Sequence, residues 1–243
     1  MKIKKVLTLA MAVAMVAGTS LSAFAADTDE SVSDNKIIFE AGGGTVTPPV
    51  DPEEPDEPGD PDEKEKPTGN TGSLRLDVVP VFDFGTQNIT TGDKSYFAEL
   101  PEDQTLNEEI PYYVQVTDLR GSGDGWSLSA KMTQQFSDGT NTLSGAEINL
   151  SNVGAEAQTG TTAPSTTIDG TLKYDAVNDT SIKIASAATN EGMGVSAVRF
   201  GDTARYGSTL NADESVELTI PAATQVYQTT YQATIQWTLG ATP

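Results

Sequence analysis

The chain has 243 residues, with 14 Lys and Arg against 35 Asp and Glu, no His, no Cys and only two Trp. Those zeros exclude disulfides, thiol nucleophiles, Cys- or His-ligated metals and His-dependent triads, so neither a metal nor a cofactor is expected. A formal net charge of −21 argues against a nucleic-acid partner, whose phosphates are held mainly by Lys and Arg.

Residues 1–25 read as a cleaved secretory signal peptide. Lys2, Lys4 and Lys5 precede an apolar or small-residue run over 6–17, and Ala23-Phe24-Ala25 supplies an A-x-A cleavage site. An uncleaved anchor is the rival reading, but the run falls short of the ~20 residues that span a bilayer. No stable membrane insertion is therefore expected after cleavage, and the chain is expected to be secreted. The last residues, Leu239-Gly240-Ala241-Thr242-Pro243, carry no hydrophobic tail and no LPxTG-type sorting pattern, and without Cys there is no lipoprotein anchor. Retention at a cell surface would then be non-covalent.

Residues 26–47 are polar and are expected to be mostly disordered. Within them Lys36-Ile37-Ile38-Phe39-Glu40 is either a short strand that adds to a sheet edge or a linker cluster. Residues 48–72 form a Pro/Asp/Glu-rich linker. Positions 48–67 hold seven of the 13 prolines and nine acidic residues, and Pro49, Pro52, Pro55, Pro58 and Pro61 recur every third position. Polyproline II has three residues per turn, so this spacing predicts a disordered, extended, self-repelling spacer.

Residues 73–243 make one domain. Apolar residues alternate with polar ones at Leu74/Leu76/Val78, Tyr112/Val114/Val116, Trp126/Leu128/Ala130/Met132, Ala146/Ile148/Leu150, Ile182/Ile184, Val216/Leu218/Ile220 and Tyr231/Ala233/Ile235/Trp237/Leu239. No stretch carries a capped 3.6-residue stripe. The expected fold is all-β, an antiparallel β-sandwich (Greek-key-like) with long loops.

Each tryptophan opens a Trp-x-Leu triplet, Trp126-Ser127-Leu128 and Trp237-Thr238-Leu239. Positions i and i+2 of a strand share a face, so these pairs could be buried core. The other reading makes an indole a stacking platform for sugar rings, and the shared strand face favours the core. Gly192-Met193-Gly194-Val195-Ser196-Ala197 lacks the strand-loop-helix setting of a dinucleotide site and reads as a turn, as does the run 121–125. Asp118, Asp124 and Asp138 are candidates for the two carboxylates of a glycosidase. With 21 acidic residues in the domain, their abundance makes them uninformative.

The paired triplets, the second within Tyr231-Gln-Ala-Thr-Ile-Gln-Trp237-Thr-Leu239, resemble the WxL-domain surface proteins of Gram-positive bacteria. The domain opening, with Val79-Pro80-Val81-Phe82-Asp83-Phe84-Gly85, is similar to that family's start. The layout of signal peptide, short apolar segment, acidic spacer and domain extends the resemblance over essentially the whole chain. It implies a non-enzymatic module that attaches to peptidoglycan at the cell wall, and partnership with other WxL-type surface proteins and their membrane-anchored interacting proteins. The residues it brings forward are Trp126, Leu128, Tyr231, Trp237 and Leu239, as wall contacts or core. The domain's 21 acidic against 8 basic residues would repel phosphate-rich walls. Adhesion would therefore need short-range contacts, aided by Arg120, Lys131, Arg199 and Arg205. The competing expectation is a secreted wall or polysaccharide hydrolase using a carboxylate pair.

Overall fold

The computed structural model describes residues 33, 35–168, 170–203, 205 and 211–243. Phe39–Pro243 forms one compact unit. The expected signal peptide lies outside the described residues. No helix of the described residues is long and apolar enough to cross a membrane.

The first strands are β1 (Glu65–Pro67), β2 (Leu74–Pro80), β3 (Lys94–Phe97), β4 (Glu102–Asp103), β5 (Glu108–Glu109) and β6 (Tyr112–Asp118). The long β7 (Trp126–Ser137) is followed by β8 (Glu147–Leu150), β9 (Val153–Ala157), β10 (Ser165–Thr166) and β11 (Leu172–Lys173). The chain closes with β12 (Ile182–Ala187), β13 (Gly194–Phe200), β14 (Val216–Ile220) and β15 (Gln232–Gly240). A 3-10 turn at Ala212–Glu214 is the only helical element among the described residues.

The strands build three main sheets, with orders β1-β2-β6-β13-β9, β10-β12-β7-β15 and β11-β8-β14-β3, while β4 and β5 pair by themselves. Every ladder between these strands is antiparallel. The fold is all-β, as the alternation predicts. One face of the first sheet, with Tyr112, Val114, Val116, Val198 and Phe200, shares a single core with Trp126 and Leu128 of the second and Ile148 and Leu218 of the third.

All seven residues of β6 are buried, so its second face also has a cover. That cover is the proline-rich segment. The sequence reading expects a free spacer over 48–72, but the structure folds residues 49–67 onto the first sheet. β1 pairs with β2, Lys66 opposite Val79. Val50 N donates to Gln115 Oε1 at 2.9 Å, Gln115 Nε2 donates to Pro48 O at 3.0 Å, and Tyr113 N donates to Glu65 Oε1 at 2.9 Å. Asp51 and Glu53 are buried, and Arg205 holds Asp51 at 2.7 Å. Prolines pre-set an extended backbone, but here the ordering comes from polar partners far along the chain. The run Lys36–Glu40 forms no strand, and Ile37, Ile38 and Phe39 are exposed.

β13 is the central strand that alternation misses. Val195, Ser196, Ala197, Val198 and Phe200 are all buried, because β13 lies between β6 and β9 and is covered on both faces. A strand covered on both sides has no polar row to mark it. The expected turn at 192–197 is correspondingly shorter: Gly192 is in the turn, and the strand starts at Gly194.

Glu65 makes the cover pH-sensitive. Its carboxyl is fully buried, and desolvation, opposed by the Tyr113 N–H bond and reinforced by Asp62, pushes it well above the ordinary carboxylate range. A raised folded value means the native state binds the proton more tightly than the unfolded chain does. The stabilisation is complete below the unfolded value of about 4.3 and declines as pH rises from there toward the folded value. Glu65→Gln, which keeps the shape without the charge, should melt at a higher temperature than the parent at neutral pH. The gap should close near pH 4, as read by thermal melts across pH. A pH-independent difference would refute this assignment.

Candidate functional site

Both Trp-x-Leu triplets lie in the second sheet, on adjacent strands. β7 and β15 pair with Leu128 opposite Leu239 and Ala130 opposite Trp237, so the two motifs form one stretch of ladder. Their exposure differs. Trp126 and Leu128 are fully buried, whereas Trp237 and Leu239 are half-buried because β15 is the last strand of its sheet. Trp126 Nε1 donates to Gly192 O at 2.9 Å. Gly192 sits at φ +61°, and a Cβ there would lie 2.5 Å from that nitrogen, so only glycine fits against the indole. Trp237 has ring neighbours instead, with centroids 6.5 Å from Phe82 and 6.2 Å from Phe200. Trp126 therefore serves the core, and Trp237 keeps part of its ring at the surface.

Tyr231 lies at a different place, at the edge of a cleft. Its hydroxyl accepts Tyr227 N at 3.0 Å and closes the loop that precedes β15. This loop, the Phe82–Ile89 segment and Lys94 and Tyr96 of β3 line a cleft of about 400 Å³, with Phe136, Leu218 and Ile220 among its apolar walls. The Phe-Asp-Phe-Gly segment is tied down from both sides. Asp83 N donates to the Tyr112 hydroxyl at 3.2 Å, Tyr112 donates to Glu99 O at 2.7 Å, and Glu99 N donates to Asp83 O at 2.8 Å. Phe84 meets Phe136 edge-on at 6.2 Å. Burial and the carboxylates around it push the Tyr112 phenol upward, so it stays a neutral donor at physiological pH.

The lining combines aromatic faces with amide and hydroxyl groups, and its charged residues are one acid, Asp83, and one base, Lys94. Lys94 is only 6% exposed. Its Nζ donates to Gly92 O at 3.1 Å and has no carboxylate partner among the described residues. A second cleft, of about 580 Å³, is lined by Asp62, Glu99, Glu102, Glu109 and Asp213 against Lys64. Its charge has the wrong sign for an anionic polymer. Among the described residues, no group of acidic side chains is placed to hold a metal ion.

Over residues 26–243 the chain matches the family described as WxL domain, surface cell wall-binding. It belongs to that family. No curated protein and no solved structure matches the chain. The match begins at Ala26, the residue after the expected signal cleavage site. The WxL domain is a wall-binding surface domain, which puts this chain at the cell surface, attached to the wall.

Within the WxL domain, the four cations picked out in the sequence are all engaged. Arg120 holds Asp118 at 2.7 Å, Lys131 holds Asp179 at 2.7 Å, Arg199 holds Asp202 at 2.7 Å and Glu156 at 3.2 Å, and Arg205 holds Asp51. Two of the acids once offered for hydrolysis have local structural partners. Asp118 anchors Arg120, and Asp138 accepts the Asn141 and Thr140 N–H groups of its turn, which holds its carboxyl below the usual range. Sequence reasoning missed Lys94, and with it the cleft. The available signal was the Phe-Asp-Phe-Gly segment, but no alternation links it to Lys94 or to the 227–231 loop.

Proposed function

We propose that this WxL domain is a non-enzymatic attachment module that holds peptidoglycan through the cleft between the Phe82–Ile89 segment and the 227–231 loop. The observation that carries the reading is the cleft's chemistry. It is aromatic, rich in neutral hydrogen-bonding groups and nearly uncharged, in a domain that is otherwise strongly acidic. Sugar rings present apolar C–H faces and hydroxyls, and such a lining meets both. Pockets of this size with a few convergent polar groups are the usual form of a ligand site. Tyr227, Tyr231 and Tyr96 supply the flat faces. Trp126 supports the fold at the far end of β7, and Trp237 lies at the same sheet's open edge.

The reading includes assembly with other WxL-type surface proteins and their membrane-anchored interacting proteins. The half-buried row of Ile235, Trp237 and Leu239 on the terminal strand β15 supports that part. Pull-down of such proteins by the wild-type chain, and its loss on Thr238→Lys at an exposed position of β15 with melting unchanged, tests it.

Wall binding is tested by sedimenting the purified chain with isolated walls. Retention without release of sugar or peptide fragments is the expected result, and fragment release would instead favour a hydrolase. Because the domain and the wall polymers repel each other at long range, added salt should leave retention unchanged or strengthen it. Retention that collapses as salt rises would refute short-range adhesion.

A further inference from the structure

We infer that the open edge of β15 pairs with the same edge of a second copy of this chain, antiparallel about a two-fold axis, joining two four-stranded sheets into one. This rests on the reading of β15 as an assembly edge and adds which partner takes it and how. An edge strand leaves a row of unpaired N–H and C=O groups, and folded proteins blunt such edges by shortness, charge, proline or a bulge. The carrying observation is that most of β15 has none of these devices.

The other ends of the three main sheets follow the rule. β1 has three residues, Glu65, Lys66 and Pro67; β3 has four and carries Lys94; β9 has five and carries Glu156; β10 and β11 have two each. β15 has nine residues, with no proline and no charge. From Leu218 to Pro243 the chain contains no Asp, Glu, Lys or Arg, although a fifth of all its residues are charged. Among the described residues β15 pairs with β7 and with no other strand. Its register against β7 shifts only before Ile235, so Ile235–Gly240 is a regular template.

Pattern and charge both name a second copy as the occupant. Half-buried Ile235, Trp237 and Leu239 alternate with exposed Thr234, Gln236 and Thr238, so an identical antiparallel strand matches this one face for face. A two-fold axis at Trp237 sets Ile235 against Leu239 of the partner subunit, and Gln236 against Thr238 of the partner subunit. Apolar pairs then continue the core face and neutral polar pairs continue the wet one. Two domains that each carry 21 acidic and 8 basic residues repel, and β15 is an uncharged strip along which they can meet. The run Lys36–Glu40 is the rival strand. It does not alternate, since Ile37, Ile38 and Phe39 are consecutive and all exposed, and it carries a charge at each end.

Sedimentation equilibrium over a concentration series tests the inference, and the parent chain should pass from monomer to dimer. Gln236→Lys combined with Thr238→Lys, both at exposed positions, sets lysines opposite one another twice in the paired strands. It should weaken dimerisation about tenfold or more with melting unchanged. Gln236→Glu combined with Thr238→Glu should weaken it likewise. Mixing the two variants should restore a dimer containing one chain of each, because every lysine then faces a glutamate. Misfolding cannot produce that rescue.

A parent chain that stays monomeric up to about millimolar concentration overturns the inference. So does a dimer that both variants leave intact, or one that fails to re-form on mixing. A dimer lost on Ile37→Ser with Phe39→Ser, with β15 unchanged, assigns the edge to the Lys36–Glu40 run and overturns it too. Pull-down of other WxL-type surface proteins separates the levels. A monomer that captures them, and loses them on Thr238→Lys, refutes the second copy alone. A chain that neither dimerises nor captures them refutes the assembly reading beneath it.

Discussion

A chain that begins at Ser73, where the alternation-defined domain starts, should melt well below the full protein, whereas one that begins at Glu40 should melt with it. Residues 49–67 cover one face of the first sheet, and removing them strips β1 from β2. It also uncovers Val78, Tyr113, Ile110 and Ala197, a small core of their own. Each large apolar side chain returned to water costs about 1.5–3 kcal/mol, so three of them cost on the order of 5 kcal/mol. At about 2–4 °C per kcal/mol for a domain of this size, the melt should fall by more than roughly 10 °C. Gln115 would lose both its partners from the covering segment, and Arg205 would lose Asp51. Calorimetry of the three chains reads this directly, and equal melting of all three would show that the segment is a passenger. Hydrogen exchange offers a second reading, since the amides of Val50, Asp51 and Glu65 are all hydrogen-bonded and should be protected.

Trp126→Ala should unfold or nearly unfold the domain, while Trp237→Ala should be far milder. Truncating a fully buried aromatic costs about 3–5 kcal/mol, a large share of the 5–15 kcal/mol that holds a typical domain. Here the loss also leaves the Gly192 carbonyl without the indole N–H. Trp237 is only half-buried and makes edge or tilted contacts with Phe82 and Phe200. Urea melts measure both. Trp237→Phe, which keeps a ring near Phe82 and Phe200, should preserve stability, so any loss of wall retention in that variant reports contact rather than folding. Equal destabilisation by the two alanine variants would contradict the burial difference between the triplets. Gly192→Ala should reproduce much of the Trp126 defect, because the added methyl meets the indole nitrogen and the residue is held at positive φ.

Most of the strand pattern was legible in the sequence. The seven alternating runs fall on strands, Ala146 and Tyr231 standing just before theirs, and β7, β8, β12, β14 and β15 have one face on the core and the other more exposed. β13 was not legible, since both of its faces are covered. β6 was half legible. Tyr112, Val114 and Val116 marked the core face, but Tyr113, Gln115 and Thr117 resembled a solvated row when in fact they receive the covering segment. That segment was misjudged for a related reason. Its order comes from hydrogen bonds and ion pairs to residues such as Gln115, Thr203 and Arg205, and composition carries no trace of such partners.

By itself the sequence determined the excluded chemistries, the all-β class, the strands with one wet face and the paired triplets that mark the family. These depend on residue type and on period-two spacing, both of which are local. Only the tertiary structure decided that one indole is sealed and the other is not. The same was true of the acidic, proline-rich stretch becoming the cover of a sheet, and of Lys94 standing without an acid in an aromatic cleft. Burial and pairing depend on which distant segments meet, and two triplets with the same spacing part company when one lies mid-sheet and the other at its edge.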